Sequence, residues 1–484
     1  MNYARNTFFS PRTIKKIDTA ITYRYCRASP FFRRPVLTTQ EKKLYHLTWA
    51  ILVAIALAGF LSQGVTQTLR GVWALQLHAA RLINDYTSVA GAGATLVNAV
   101  LVAAIGLGLV GLTGTRVSGP TISAVYTMFG FGLFGKTPIN SLPIILGVFI
   151  AARLAGKKFN EYILIALFGT ALAPIVSMVA VELIPAGALS WTGAVVTGIV
   201  VGMILPPTAI VMLRFHQGYN LYNIGLTSGF LGLFAASLVA AGGVTLPADM
   251  IWNVDPPLLL QLLIPVLSVV LLGAGLFGTG LSEAEVEQRE PGRVVQEGRA
   301  AQEARAVQPL RDFLRINRLS GRLPSDFMEM VSMRGTLVNM GVLGLGSWLY
   351  VLAVGAPLNG PVLGGILTIV GFGGFGKHPA NCLPVMAGIL AATLLFGLSL
   401  TAPGAILAIL FGTTLAPLAG DFGVLVGFVA GFLHLVMVSR SGGWHSGISL
   451  YNNGFAGGLT ATLLAAFMEW YQTGRDTAKA AEER

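Results

Sequence analysis

Two short strings, each written twice in the chain, hold the side chains best suited to chemistry in otherwise apolar sequence. The first is FGLFGKTPIN, which sets Lys136 four residues ahead of Asn140; its second copy, FGGFGKHPAN, does the same with Lys377 and Asn381. Proline removes a backbone donor and glycine permits non-helical dihedrals, so each string breaks a helix. A half-helix over about 120–134 should stop there, and a new helix should begin near 138. Non-helical backbone at membrane depth survives only inside protein or against a wet cavity. At such a break, lysine and asparagine bring donors to the place where a helix N-terminus also points. The plainer reading is a surface loop with a snorkelling lysine. Retention of the break in both copies favours the pathway role.

The second string is H-x-G-x-x-L-Y-N-x-G, which aligns His216, Tyr222 and Asn223 with His445, Tyr451 and Asn452. Small and polar residues ahead of an apolar helix suggest a re-entrant turn, where phenol and amide groups bind a polar solute. The competing reading is a helix start at the interface, with tyrosine as belt anchor and asparagine as cap. His216 and His445 have the chemistry of a proton relay, yet Arg214 and Arg440 nearby fit an interfacial position equally well. Phe131, Phe134, Phe372 and Phe375 flank the two breaks. They form either a slot for a flat solute or core filling. No catalytic set stands out, and the histidines lack close acidic or thiol partners for a metal, so neither metal nor cofactor is expected. Residues 130–137 also fit the phosphate-loop expression GxxxxGK[ST]. No strand precedes them, a proline follows, and His378 replaces the hydroxyl in the second copy, so that reading fails.

The elements that position these groups follow from composition. Of 484 residues, 54% are hydrophobic and 11% charged, against roughly 25% charged in soluble domains. A chain this poor in charge cannot cover a water-facing surface of its size, so it reads as a polytopic membrane protein. Apolar runs lie near 47–65, 92–113, 139–156, 161–184, 189–213, 220–243 and 256–280, then 336–356, 379–400, 403–420, 421–439 and 453–470. They suit helices crossing roughly 30 Å of hydrocarbon and are too long for barrel strands. The expected fold is all-α. Residues 66–88 are too polar to span and are expected at an interface, and Pro309 and Pro324 should break any long linker helix. Cys26 and Cys382 are the only cysteines, which excludes a disulfide framework.

Thr95–Gly147 aligns with Thr336–Gly388 without a gap, and 20 of the 53 positions are identical. FGTALAP (168–174) then matches FGTTLAP (411–417). The halves are an internal duplication. Residues 1–47 hold ten Lys/Arg against two acids, and residues 281–334 hold nine Arg against nine acids. Both read as cytoplasmic under the positive-inside rule, which makes the net charge of +11 a topology signal and gives nucleic acid no role. If both are inside, the copies enter the membrane from opposite faces, as inverted repeats with broken and re-entrant helices. The organisation is then a basic arm (1–47), a first repeat with one extra span at each end (48–280), a charged linker (281–333), a second repeat (334–470) and a polar tail (471–484). Glu182 and Asp421 fall at span ends, where acids are functional candidates or simply solvated.

The duplicated FGxFGKxPxN and LYNxG patterns resemble an uncharacterised family of bacterial multi-span membrane proteins, a domain-of-unknown-function family, which places the chain in the inner membrane. At motif level GKTPIN, GKHPAN, NLYNIGL and SLYNNGF also resemble urea transporters. That likeness implies a pore between two inverted halves, lined by Phe pairs and polar side chains, and a trimeric homo-oligomer. The lysines depart from the urea-transporter pattern and suit an anion or carboxylate better than neutral urea. The expectation is a channel or transporter for a small polar solute. Transport of a small anion is the alternative, and a membrane enzyme is a more distant one.

Overall fold

A computed structural model describes residues 37–185, 187–246, 250–278 and 299–482. The first 36 residues of the basic arm and most of the first half of the charged linker lie outside the described residues. Long runs of Leu, Val, Ile and Ala satisfy their backbone groups internally only as helices, the form a bilayer demands. Nine described helices are long and apolar enough to cross a membrane, and Pro138–Leu154, Gly360–Phe372 and Pro379–Leu395 are shorter apolar ones. The described residues contain no β-strand, only one isolated bridge between Asn84 and Ile251. Their outer surface is apolar: Leu61 is 87% exposed, Phe277 79% and Leu238 76%. The chain is an all-α multi-pass membrane protein.

In the first half, α1 (Thr39–Gln63) and α2 (Val65–Gln76) lead through a loop to α3 (Tyr86–Ala90) and α4 (Ala92–Leu112). The half-helix α5 (Gly119–Gly132) and α6 (Pro138–Leu154) follow. Next come α7 (Ile163–Gly169), a 3-10 turn (Thr170–Leu172), α8 (Ala173–Met178), a π turn (Val179–Leu183), α9 (Ala188–His216) and α10 (Asn223–Ala241). The second half repeats this order. It runs α11 (Leu258–Phe277), α12 (Arg299–Ile316), α13 (Phe327–Met330), α14 (Met333–Val354), α15 (Gly360–Phe372) and α16 (Pro379–Leu395). It ends with α17 (Pro403–Gly412), a 3-10 turn (Thr413–Leu415), α18 (Ala416–Phe422), α19 (Val424–Trp444) and α20 (Asn452–Glu482).

Matched glycines make matched crossings. A Cβ on Gly147 or Gly202 would meet the carbonyl oxygen of Ile199 or Ile144 at 2.2 Å, so α6 and α9 touch backbone to backbone. The equivalent Gly388 and Gly431 do the same for α16 and α19, at 1.9 Å from Phe428 O and 2.0 Å from Val385 O. Small residues of this kind let membrane helices approach closely. Between the halves, α5 and α15 pack antiparallel. Gly119 lies against Gly374, Gly371 against Ser123, and Gly130 against Gly364.

Three details differ from the sequence expectation. The span near 256–280, assigned to the first repeat as an extra helix, packs on α14 as α1 packs on α4. Gly59 faces the carbonyl of Gly93, and Gly275 faces that of Arg334, the position aligned with Gly93. Pro309 does not break the linker helix, because α12 continues through it from Arg299 to Ile316. An interior proline removes one hydrogen bond and bends a helix without necessarily ending it. Finally, the polar stretch expected at an interface is α2 followed by a loop that enters the protein, where Arg81, Asn84 and Asp85 are buried.

Candidate functional site

The breaks fall where the glycines and prolines put them, after Gly132 and Phe372, with new helices at Pro138 and Pro379. Asn140 and Asn381 secure them. Asn140 Oδ1 accepts from the N–H of Thr137 at 2.8 Å, and its Nδ2 donates to Gly135 O at 3.1 Å. Asn381 repeats this with His378 N–H at 3.0 Å and Gly376 O at 2.9 Å. Both amides thus serve the backbone of the break. From the neighbouring helix, Asn98 Nδ2 donates to Gly132 O at 2.7 Å and Lys136 O at 2.9 Å. Asn339 Nδ2 donates to Gly373 O at 2.9 Å and Lys377 O at 2.8 Å. These carbonyls have lost helical partners and would otherwise be buried without donors.

The second motif forms the turn between α9 and α10 and its copy between α19 and α20. Gln217 and Ser446 adopt φ of 51° and 49°, followed by Gly218 and Gly447 at 86° and 72°. His216 Nε2 lies 3.0 Å from Asn223 Oδ1 and His445 Nε2 lies 3.1 Å from Asn452 Oδ1. The asparagines donate back to Ala209 O and Val438 O. Both histidines are fully buried. They clamp the turn. Each turn then docks on the opposite half: Leu221 N–H donates to Thr414 O at 3.0 Å, and Leu450 N–H to Ala171 O at 2.9 Å. At their starts α10 and α20 meet through Gly225 and Gly454.

This exchange carries each tyrosine to the other half's lysine. Lys136 Nζ donates to Tyr451 Oη at 2.7 Å, and Lys377 Nζ donates to Tyr222 Oη and, at 2.8 Å, to Thr413 Oγ1. Lys136 Nζ sits 5.2 and 4.7 Å from the Phe131 and Tyr451 ring centres, and Lys377 Nζ sits 4.5 and 5.2 Å from Tyr222 and Phe372. Aromatic faces attract cations. Both lysines are 0% exposed. Among the described residues no ion pair reaches either of them.

Between the halves lies a cavity of about 190 Å³. Its walls come in matched pairs, among them Thr127 and Thr368, Phe131 and Phe372, Phe168 and Phe411, and Tyr222 and Tyr451. Of the residues expected at a site, Phe131, Phe372, Phe375, Tyr222, Tyr451 and Asn223 line this cavity. Lys136 and Lys377 lie one layer back, behind the rings. Phe134 packs on Gly364 at the α5–α15 contact. Asn140, Asn381, His216, His445 and Asn452 hold the breaks and turns. Sequence reading passed over Thr127, Thr368, Phe168 and Phe411 as lining residues, although each is identical in both copies. It also passed over Asn453, because the first copy has Ile224 there. Asn453 Oδ1 pairs with His434 Nε2 at 3.1 Å.

Loops ahead of α3 and α13 cover the breaks. Their alignment extends the duplication upstream through Arg81 and Arg322, and Asp85 and Asp326. Arg81 pairs with Glu182 at 2.6 Å, whereas Arg322 lies 3.9 Å from Asp421 and stacks on Tyr219. The two span-end acids are therefore ion-paired to a duplicated arginine. Asp85 and Asp326 accept N–H bonds at the start of the opposite half-helix, from Gly360 and Gly119 respectively, each at 3.3 Å. Asp326 lies outside the spanning helices, and burial, then the charge of Glu329, pushes its carboxyl up from 3.8 to about 6. The folded protein thus holds this proton more tightly than the unfolded chain. Its contribution to stability is full below the unfolded value and is lost as pH rises through the folded one. Asp326→Asn keeps a capping side chain. It should raise the melting temperature at pH 7.5 relative to wild type and give no gain at pH 4. Equal shifts at both pH values would refute this.

A family model described as "Protein of unknown function (DUF1576)" matches residues 65–241 and 306–470, which run from α2 to α10 and from α12 to α20. No curated protein and no solved structure matches the chain, so the likeness to urea transporters has no support beyond its short motifs.

Proposed function

The chain belongs to the DUF1576 family of proteins of unknown function, and we propose from its geometry that it is a channel or carrier for a small polar solute. The observation that carries this reading is the cavity where the two halves interlock, lined in large part by matched pairs of residues, one from each copy. Antiparallel α5 and α15 and the touching pair Gly225 and Gly454 fit a two-fold axis running across the helices. If those helices span the bilayer, that axis lies in the membrane plane, the arrangement of inverted-repeat transporters. The basic arm then sits on the cytoplasmic side of a bacterial inner membrane. Broken helices and re-entrant turns at the junction suit a pathway, because irregular backbone is tolerated at depth only beside protein or water.

The motif likeness favours a neutral amide such as urea, whereas the buried lysines favour an anion. A membrane enzyme is the less fitting reading, since catalysis brings unlike groups together in one pocket and these groups come in matched pairs. Filling the cavity tests the pathway. Thr127→Phe and Thr368→Phe should each reduce solute flux into proteoliposomes at least tenfold, while the exposed Phe215→Ala leaves it unchanged. Undiminished flux through both filled variants would move the pathway elsewhere.

A further inference from the structure

We propose that the cavity takes a small monovalent anion, with Lys136 and Lys377 supplying its counter-charge and Thr127, Tyr451 and Asn453 its hydrogen bonds. The proposal rests on the transport reading and names its substrate class. Two fully buried lysines flank the junction without an ion pair to any described carboxylate, and no acid lines the cavity. A buried ammonium without a counter-charge is costly, and Lys136 uses only one of its three donors on a described partner. An anion in the cavity provides the missing charge.

The uncommitted polar groups are also donors. Thr127, 2% exposed, lines the cavity, and its hydroxyl has no partner among the described residues. The Tyr451 oxygen accepts from Lys136, and its own proton finds no acceptor among the described residues. Asn453 turns its oxygen to His434, which leaves its NH2 for an occupant. By contrast the Thr368 hydroxyl is spent on Gly364 O, and both ends of the Asn223 amide are in use. The other walls are Phe131, Phe168, Phe372, Phe411 and leucines, which cannot replace a tight hydration shell. Such walls reject divalent, strongly hydrated ions and suit a monoanion of diffuse charge or with a short apolar tail.

Asn453, held by His434, also breaks the symmetry of the cavity, since the first half has Ile224 and Leu205 in their places. That gives the anion one polar end to bind. Asn453→Leu should therefore change the order of preference among anions more than it changes total flux.

The test uses full-length protein in proteoliposomes, offered nitrate, chloride, formate and propionate, with urea and sulfate for comparison. Monoanions are expected to move faster than urea and sulfate, and Lys136→Met with Lys377→Met should reduce that flux at least tenfold. Preference for nitrate and chloride, or for formate and propionate, tells an inorganic ion from a carboxylate, and either supports the class. Wild-type melting at constant ionic strength is a second readout that needs no variant. Nitrate or formate should raise it where sulfate does not. Urea flux with no monoanion flux overturns the substrate class and leaves the pathway standing. If neither urea nor any anion moves, the transport reading falls with it.

Discussion

Leucine at Gly388 is expected to leave no correctly folded protein. A Cβ at that position would stand 1.9 Å from the carbonyl oxygen of Phe428 and 2.9 Å from the N–H nitrogen of Phe432. These are main-chain atoms of α19, so no side-chain rotation relieves the clash. The helices must part, and a Cβ on Gly431 would likewise stand 2.0 Å from Val385 O at the same crossing. Overpacking a core ordinarily costs about 1–3 kcal/mol, and a backbone clash with a branched side chain belongs at or above the top of that range. Size-exclusion chromatography in detergent should show aggregate for Gly388→Leu and a monodisperse peak for Gly346→Ala, where an added Cβ meets nothing within 4 Å. A monodisperse Gly388→Leu with wild-type melting would mean that α16 and α19 do not cross there.

Removing the Asn339 amide is the second large effect. Asn339→Leu keeps the volume but strips donors from the carbonyls of Gly373 and Lys377, both inside the second break. Leaving a buried acceptor unsatisfied costs about 1–3 kcal/mol, so the pair sums to about 2–6 kcal/mol. Lys377 is anchored through one of those carbonyls, so solute flux should fall along with thermal stability. Asn339→Gln restores an amide on a longer stem and should recover part of the stability and less of the flux. The corresponding Asn98→Leu should cost more, because Asn98 Oδ1 also accepts from Gln76 Nε2. The Oδ1 of Asn339 has no partner among the described residues. Equal melting temperatures for wild type and both leucine variants would remove these amides from the account of the breaks.

Much of the fold was legible in the sequence because its cues are local. Gly-Lys-x-Pro fixes a helix end through dihedrals and a missing donor, so the end of α5 and the starts of α6 and α16 could be placed within a residue or two. Apolar length marked the spans, and duplication marked the halves. Function was less legible. Lys136, Asn140 and His216 all read as polar groups beside a break or turn, yet one faces an aromatic layer behind the cavity and the others serve backbone. A side chain's direction depends on its neighbours, and spacing along the chain does not reveal those. Asn453 was invisible for the opposite reason: a search for matched pairs passes over the place where the copies differ.

By itself the sequence determined an all-helical membrane chain in two copies, with a lysine at the same break in each. Those properties follow from hydropathy, proline, glycine and charge, which act within a helical turn or over one span. Only the tertiary structure decided that the halves exchange turns, so that Lys136 meets Tyr451 and Lys377 meets Tyr222 across more than a hundred residues. Antiparallel packing of α5 on α15 and the crossing of Gly225 with Gly454 bring those groups together. The close approach depends on glycines in both halves at once, and neither half shows it alone.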